Sequence, residues 1–133
     1  MDARNVLGEP LHPCGTDPVT GFFRDGYCAT SPEDLGGHTV CALMTREFLE
    51  FQRTIGNNLI DPAPAHGFPG LRPGDAWCVV ATRWVQAFRA GIVAPVVLAA
   101  THEAVLEYIS LEELVGCSAD VPDDISSIAP DAG

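Results

Sequence analysis

The stretch that decides the fold is HTVCALMTREFLEFQRTIGN, residues 38–57. Its first part, residues 38–44, is rich in apolar and β-branched residues and is typical of a strand. Thr45 follows as a helix N-cap, with Glu47 in the first turn, where the helix dipole favours an anion. Side chains that can form a buried face then recur at helical spacing: Phe48, Phe51, Gln52 and Ile55. Gly56 ends this periodicity, so the pattern predicts a strand that runs directly into a short amphipathic helix.

The second half of the chain carries the strongest helical pattern. Asp75 is predicted to cap one long amphipathic helix over about residues 75–90, which Gly91 closes. Large or apolar side chains recur along one face of this helix: Trp77, Ala81, Trp84 and Phe88. The continuous apolar run at residues 95–100 is then predicted to form a buried strand.

Shorter elements and loops make up the remainder. Thr101 is expected to cap a short helix that ends near residue 109, and residues 110–113 have the pattern of a capping box for a last helical turn or two. Near the N-terminus, aromatic residues between two glycines at 21–28 predict a strand or hairpin arm. Residues 58–74 form a long loop rich in proline and glycine, and such loops are usually functional or packed by their own side chains.

Together these elements predict an α+β fold in a small single domain, with a few short strands, one long amphipathic helix, two or three short helices and long Pro/Gly-rich loops. A chain of 133 residues has room for one domain with a hydrophobic core. We assign the domain to residues 1–117. Residues 118–133 contain few apolar side chains and many acids, which predicts a disordered acidic tail.

Charge and hydropathy limit the classes of partner and of reaction. The net charge is -11, and all seven basic residues are arginines. An acidic body repels phosphate backbones and anionic lipids, so neither nucleic acid nor a membrane is expected as a partner. The lack of lysine excludes Schiff-base chemistry and a Walker-type phosphate lysine. Because no apolar run is long enough to span a membrane and no signal peptide is recognisable, we expect a cytoplasmic protein.

Five cysteines stand at positions 14, 28, 41, 78 and 117. In the absence of an export signal, free thiols are expected, since disulfides are rare in reducing compartments. None of the spacings produces a Cys-x-x-Cys motif, which argues against a zinc finger.

Many ordered motifs resemble one bacterial family. They are Asn5-Val6-Leu7-Gly8, Cys14, Thr20-Gly21-Phe22-Phe23-Arg24-Asp25-Gly26-Tyr27-Cys28, Glu33-Asp34-Leu35-Gly36-Gly37-His38-Thr39-Val40-Cys41, Met44-Thr45, Phe48-Leu49, Phe68-Pro69-Gly70-Leu71, Pro73-Gly74-Asp75, Trp77-Cys78, Arg83-Trp84 and Ala100-Thr101-His102-Glu103. The chain resembles the family catalogued as domain of unknown function 2237 over about residues 5–116. The resemblance implies a single-domain bacterial cytosolic protein and brings no activity, substrate or cofactor. One difference is Val80, where the family often has a second cysteine.

The densest candidate site combines His38 and Cys41 with Arg24, Asp25 and Cys28. A cysteine acts as a nucleophile in its thiolate form, which is favoured beside a protonated histidine or an arginine. Arg24 could clamp an anionic ligand, and Asp25 could orient a neighbour. The structural alternatives are that Cys41 is a small buried apolar residue and that Arg24-Asp25-Gly26 supplies a buried Arg–carboxylate pair that locks this arm onto the body.

A second candidate site follows the predicted apolar strand. His102 could serve as a general base, with Glu103 setting its tautomer. The structural alternative is that Thr101 caps a helix and His102 is a polar residue in its first turn. Arg83 on the long helix is a further candidate for ligand binding.

Two arrangements of the cysteines also remain open. A metal site could be formed from His38, Cys41, Cys78 and His102, but it is not favoured because most of the spacings between these ligands are long. Alternatively, Cys14 and Cys28 could form a redox-sensitive pair.

These residues support two hypotheses of function. In the first, the chain is a small-molecule-binding or protein-interaction module whose pocket is walled by residues 58–74 and edged by Arg24, His38 and His102. In the second, it is a small enzyme that uses Cys41 as a nucleophile or a bound metal, with His38 or His102 as the acid–base group. We favour the first, because sequence spacing does not demonstrate a nucleophile–base pair.

Overall fold

The computed structural model describes residues 3–16, 19–34, 37–66 and 68–119. Over these ranges the chain is a small α+β domain with a two-stranded antiparallel sheet and three α-helices, as predicted. Its elements are β1 (Val40–Leu43), α1 (Arg46–Thr54), β2 (Ala76–Val79), α2 (Ala81–Arg89) and α3 (Leu111–Val115), with short 3-10 helices at Pro64–His66, Leu98–Ala100 and Glu103–Glu107. The predicted acidic tail lies outside the described residues from position 120 onward.

The strand pair β1–β2 separates two buried clusters. Cys41 lies directly opposite Cys78, and the neighbouring pairs are Val40 with Val79 and Ala42 with Trp77. Because side chains alternate across a strand, Val40, Ala42, Trp77 and Val79 face the main hydrophobic core. Cys41 and Cys78 belong instead to a second cluster, which also contains Cys28 and Ala100. The two faces of this small sheet therefore pack against two different buried clusters.

A third segment pairs with the free edge of β1. Leu43 N donates to Pro95 O at 2.8 Å, and Val97 N donates to Cys41 O at 2.8 Å. The predicted strand over 95–100 is therefore wrong in part, since the chain turns into a 3-10 helix at Leu98. The predicted helical cap at Thr101 is also wrong. The hydroxyl of this buried residue accepts from Cys41 N and donates to Val97 O, so it links β1 to the 95–97 segment.

The predicted long helix over 75–90 is wrong in its first half. Residues 76–79 form β2, and α2 begins only at Ala81. Trp77 and Val79 face the main core, while Cys78 between them faces the second cluster. This alternation has the period of two that is typical of a strand, but the strand is only four residues long. Further along, Trp84 is fully buried as expected, and its indole Nε1 donates to Ala94 O at 3.0 Å.

The helix starts that depend on local side chains are confirmed. Thr45 Oγ1 accepts from Phe48 N at 3.0 Å and begins α1. Ser110 and Glu113 form the reciprocal capping box that begins α3. The predicted strand at 21–28 does not form: this segment, which we call the arm, is a succession of turns. Within the described ranges, none of the helices is long and apolar enough to cross a bilayer.

Replacing Thr101 with Val tests the link between β1 and the 95–97 segment. The substitution preserves shape but leaves Cys41 N–H buried without its acceptor, so Thr101→Val is expected to lower the free energy of unfolding by about 1–3 kcal/mol. Urea denaturation followed by circular dichroism measures the change. The control is Thr54→Val at the exposed end of α1, where a loss within about 0.5 kcal/mol is expected. Equal losses for the two variants would contradict this role of Thr101.

Candidate functional site

A cleft of about 220 Å³ opens between the arm and the 58–74 loop. It is lined by Arg24, His38, Asn58, Leu59, Ala63, Phe68 and Trp77. The arm supplies the cation, the loop supplies most of the apolar wall, and β2 supplies the indole. Two residues singled out in the sequence, Arg24 and His38, thus line one cleft with the long loop.

Backbone conformation sets the position of Arg24. Its φ of 54° lies in the left-handed region that non-glycine residues rarely adopt. Gly21 lies at a φ of 104°, and a Cβ there would collide with the carbonyl of Tyr27. The Arg24 guanidinium donates to Gly21 O at 2.8 Å and lies 5.1 Å from the ring centroid of Trp77. The arm therefore places a cation over the face of an indole at the cleft.

Asp25 has a different role from its neighbour. Its Oδ1 accepts from Tyr27 N at 3.1 Å, which stabilises the turn of the arm. The buried Arg–carboxylate pair considered from the sequence does not form among the described residues, because Arg24 and Asp25 are both exposed and the guanidinium contacts Gly21 and Trp77 instead.

His38 is oriented by a carboxylate that sequence reasoning missed. Asp34 Oδ1 lies 2.6 Å from His38 Nδ1, while Asp34 Oδ2 accepts from His38 N at 2.7 Å and from Thr30 Oγ1 at 3.2 Å. The Asp34 side chain is 0% exposed and that of His38 is 30% exposed. An imidazole that gives Nδ1–H to a carboxylate presents Nε2 as an acceptor when neutral and as a donor when protonated. The sequence pattern that could have indicated this pair is an aspartate four residues before the histidine, with two glycines between them.

His102 lies apart from this cleft. Its Nδ1 accepts from Ala104 N at 3.0 Å and caps the 3-10 helix that begins at Glu103, and its backbone N donates to Thr39 O. Burial lowers the pKa of His102, and the charge of Glu103 opposes this effect. His38 lines this cleft and a smaller cavity beside it, and His102 lines neither of the two. The capping role belongs to His102 rather than Thr101.

Arg83 also lies away from the cleft. Its guanidinium donates to Ile55 O at 3.3 Å, and its carbonyl accepts from Gln52 Nε2 at 3.1 Å. These contacts join α2 to the C-terminal end of α1, so the structure gives Arg83 a packing role.

Four cysteines converge behind the strand pair. Cys41 is bonded to Cys14, and Cys78 is bonded to Cys28. The expectation of free thiols is therefore wrong for these four, and Cys14 and Cys28 are not bonded to each other in this state, because each of these loop cysteines bonds to a strand cysteine. Their Cα atoms lie 5.6 Å and 5.2 Å apart across the two bonds. Both bonds fix the segment that carries the arm to the strand pair.

The structure also assembles a different ligand set from the predicted one. In the described part of the chain, the group with metal-ligand spacing consists of Cys14, Cys28 and Cys78, whose Sγ atoms lie within 4.8 Å of one another and would become ligands only after reduction of both disulfides. The set of His38, Cys41, Cys78 and His102 is not brought together. The fifth cysteine, Cys117, is a half-buried free thiol whose pKa is raised by burial and by the charge of Glu113.

Residues 4–118 match the model of domain of unknown function 2237, described as an uncharacterized protein conserved in bacteria. The chain belongs to this family. The resemblance drawn from the ordered motifs is thereby confirmed over nearly the whole of the described structure. No curated protein matches the chain. Membership of this family places the chain among proteins conserved in bacteria and adds no activity.

The disulfide between Cys14 and Cys41 should contribute measurably to the stability of this family member. The bond closes a loop with a sequence separation of 27. By the loop-entropy relation, losing it costs about 3–4 kcal/mol. Urea denaturation of Cys14→Ser/Cys41→Ser against the unmodified chain, without reductant, measures this loss. Cys117→Ser is the matched control and is expected to change little, and equal unfolding midpoints for all three proteins would contradict the prediction.

Proposed function

We propose that this protein is a binding module for a small anionic molecule, with a carboxylate or phosphate group and a compact apolar or aromatic body. The observation that carries the proposal is the placement of the Arg24 guanidinium over Trp77 at the same cleft as His38. This is the first of the two functions considered from the sequence, with His102 removed from the edge of the pocket.

The charge of Arg24 is available to a ligand. In the part of the chain that the structure covers, the arginine ion pairs are Arg46 with Glu50 and Arg89 with Glu113. Arg24 takes part in neither of them, and its guanidinium donates one hydrogen bond to Gly21 O among the described residues. A guanidinium has five N–H donors, so several remain for a bidentate contact with a carboxylate or phosphate.

The apolar wall of the cleft selects the rest of the ligand. Phe68 packs edge-on against Trp77 at a centroid distance of 5.2 Å, and Leu59 lies beside them. A volume of about 220 Å³ is below the range of about 300–1,000 Å³ typical of drug-sized ligands. The cleft therefore suits a molecule about the size of a single aromatic ring with one anionic group.

The strain at Arg24 supports a role in binding. A non-glycine residue in the left-handed region costs on the order of 1–3 kcal/mol, and such residues cluster at ligand-binding positions. An exposed cation–π contact returns only about 0.5–1 kcal/mol, so the contact with Trp77 offsets this cost only in part. A bound anion would add charge-assisted hydrogen bonds to the same guanidinium.

An enzyme remains the second candidate, and the Asp34–His38 pair is the observation that favours it. A buried carboxylate that orients an imidazole is the geometry of a general base. Cys41 is a poor nucleophile for such a base in this state, because it is fully buried and bonded to Cys14. The binding proposal requires no nucleophile and is therefore preferred.

Arg24→Gly provides the test, because glycine adopts the same backbone conformation without strain and removes only the side chain. The probes are phenyl phosphate and benzoate, with benzyl alcohol as the neutral comparison, titrated by Trp fluorescence and by amide chemical shifts. Loss of one charge-assisted contact is expected to raise Kd about tenfold or more.

Arg72→Gly is the charge-matched control, since it removes an exposed arginine outside this cleft. The control is expected to keep the affinity of the unmodified protein. Equal weakening by the two variants, or equal affinity for the anionic probes and benzyl alcohol, would contradict the proposal.

A further inference from the structure

The four clustered cysteines point to a chemistry that is independent of ligand binding in the cleft. We propose that Cys14, Cys28, Cys41 and Cys78 form a thiol–disulfide exchange centre, in which an external dithiol reacts at Cys14 and the freed thiolate carries the exchange to the buried Cys28–Cys78 bond.

Register brings the two disulfides together. Cys41 and Cys78 are directly opposed in β1 and β2, yet each bonds to a different cysteine of the N-terminal segment. The Sγ atom of Cys14 consequently lies within 4.8 Å of the Sγ atoms of both Cys28 and Cys78. Reacting atoms in a productive complex are about 3–3.5 Å apart, so a shift of roughly 1–2 Å brings Cys14 to the second bond.

Differences in burial determine at which cysteine an external thiolate can enter the cluster. Cys28, Cys41 and Cys78 are 0% exposed, whereas Cys14 is only half-buried. An external thiolate can therefore reach the cluster at Cys14, while the Cys28–Cys78 bond is shielded from direct attack. The accessible sulfur and the shielded bond are neighbours, which is the arrangement that an internal relay requires.

The exchange is balanced with a dithiol as the reductant. One thiolate of the dithiol attacks Cys14 Sγ, forms a mixed disulfide and releases Cys41 as a thiolate. The second thiolate of the dithiol attacks its own sulfur in the mixed disulfide, which releases Cys14 and leaves the dithiol as a cyclic disulfide. These two steps transfer two electrons to the protein, and protons from solvent neutralise the thiolates.

The internal step then moves the remaining disulfide without further change in oxidation state. The Cys14 thiolate attacks Cys28 Sγ, forms a Cys14–Cys28 bond and releases Cys78 as a thiolate. In this product the disulfide joins two cysteines of the N-terminal segment, and the strand cysteines Cys41 and Cys78 are thiols. A second dithiol molecule reduces the Cys14–Cys28 bond, so the full cycle takes four electrons.

The first measurement follows partial reduction of the full chain. A Cys117→Ala background removes the fifth thiol, dithiothreitol is added without oxygen, and samples are quenched with N-ethylmaleimide and mapped as disulfide-linked peptides. The expected intermediate contains a Cys14–Cys28 bond with Cys41 and Cys78 alkylated. An intermediate in which Cys28–Cys78 stays intact until it is reduced, with no rearranged bond at any time, would overturn the proposal.

The second measurement compares rates in a variant that lacks the internal attacker. Cys14→Ser/Cys41→Ser in the same background retains only the Cys28–Cys78 bond, and circular dichroism verifies its fold. Because an intramolecular thiolate has a high effective concentration, reduction of this bond by dithiothreitol is expected to be about tenfold slower or more than in the parent. An unchanged or faster rate would overturn the proposal.

Two further arms identify the reactant and exclude a metal. Glutathione, a monothiol, is expected to reduce the cluster at least about tenfold more slowly than dithiothreitol at equal thiol concentration, because the freed Cys41 thiolate expels it from Cys14 before a second glutathione can attack. Uniform glutathionylation of buried and half-buried cysteines would count against entry at Cys14. One equivalent of zinc in protein purified under reductant, with all four thiols protected from alkylation, would assign the cluster to metal binding and overturn the exchange.

Discussion

The structure depends on the attachment of an irregular N-terminal segment to a very small sheet. Each strand has only four residues, and a two-stranded sheet of that length is marginal by itself. The Cys14–Cys41 and Cys28–Cys78 bonds join the segment to one strand each, and Thr20 Oγ1 accepts from Cys78 N at 2.8 Å. The 95–97 segment completes the other edge. Covalent bonds and buried side-chain hydrogen bonds thus supply what the short strands lack.

The candidate cleft is a consequence of that attachment. Alternation along β2 turns Trp77 toward the main core and the cleft, while Cys78 turns toward the sulfur cluster. The same bond that secures Cys28 holds the arm near the strand, and the turn at Gly21 and Arg24 directs a guanidinium over the indole. The proposed binding surface and the proposed exchange centre therefore lie on opposite faces of one strand.

Much of the fold was predictable where the deciding contact is local. The caps at Thr45 and Ser110 bond to backbone groups three residues away, so sequence alone identifies them. The error at 75–90 arose because Trp77, Ala81, Trp84 and Phe88 do recur at helical spacing, although the first of them lies in a strand. Four residues are too few for a period of two to be distinguished from a period of 3.6 in a single sequence.

By itself, the sequence determined the class of fold, the family and the starts of α1 and α3. The tertiary structure alone decided which cysteines bond, that Asp34 orients His38, and that His102 caps a 3-10 helix. The physical reason is distance along the chain. Disulfide pairs separated by 27 and 50 residues are selected by the positions of their Cα atoms in the folded state, which no local pattern encodes.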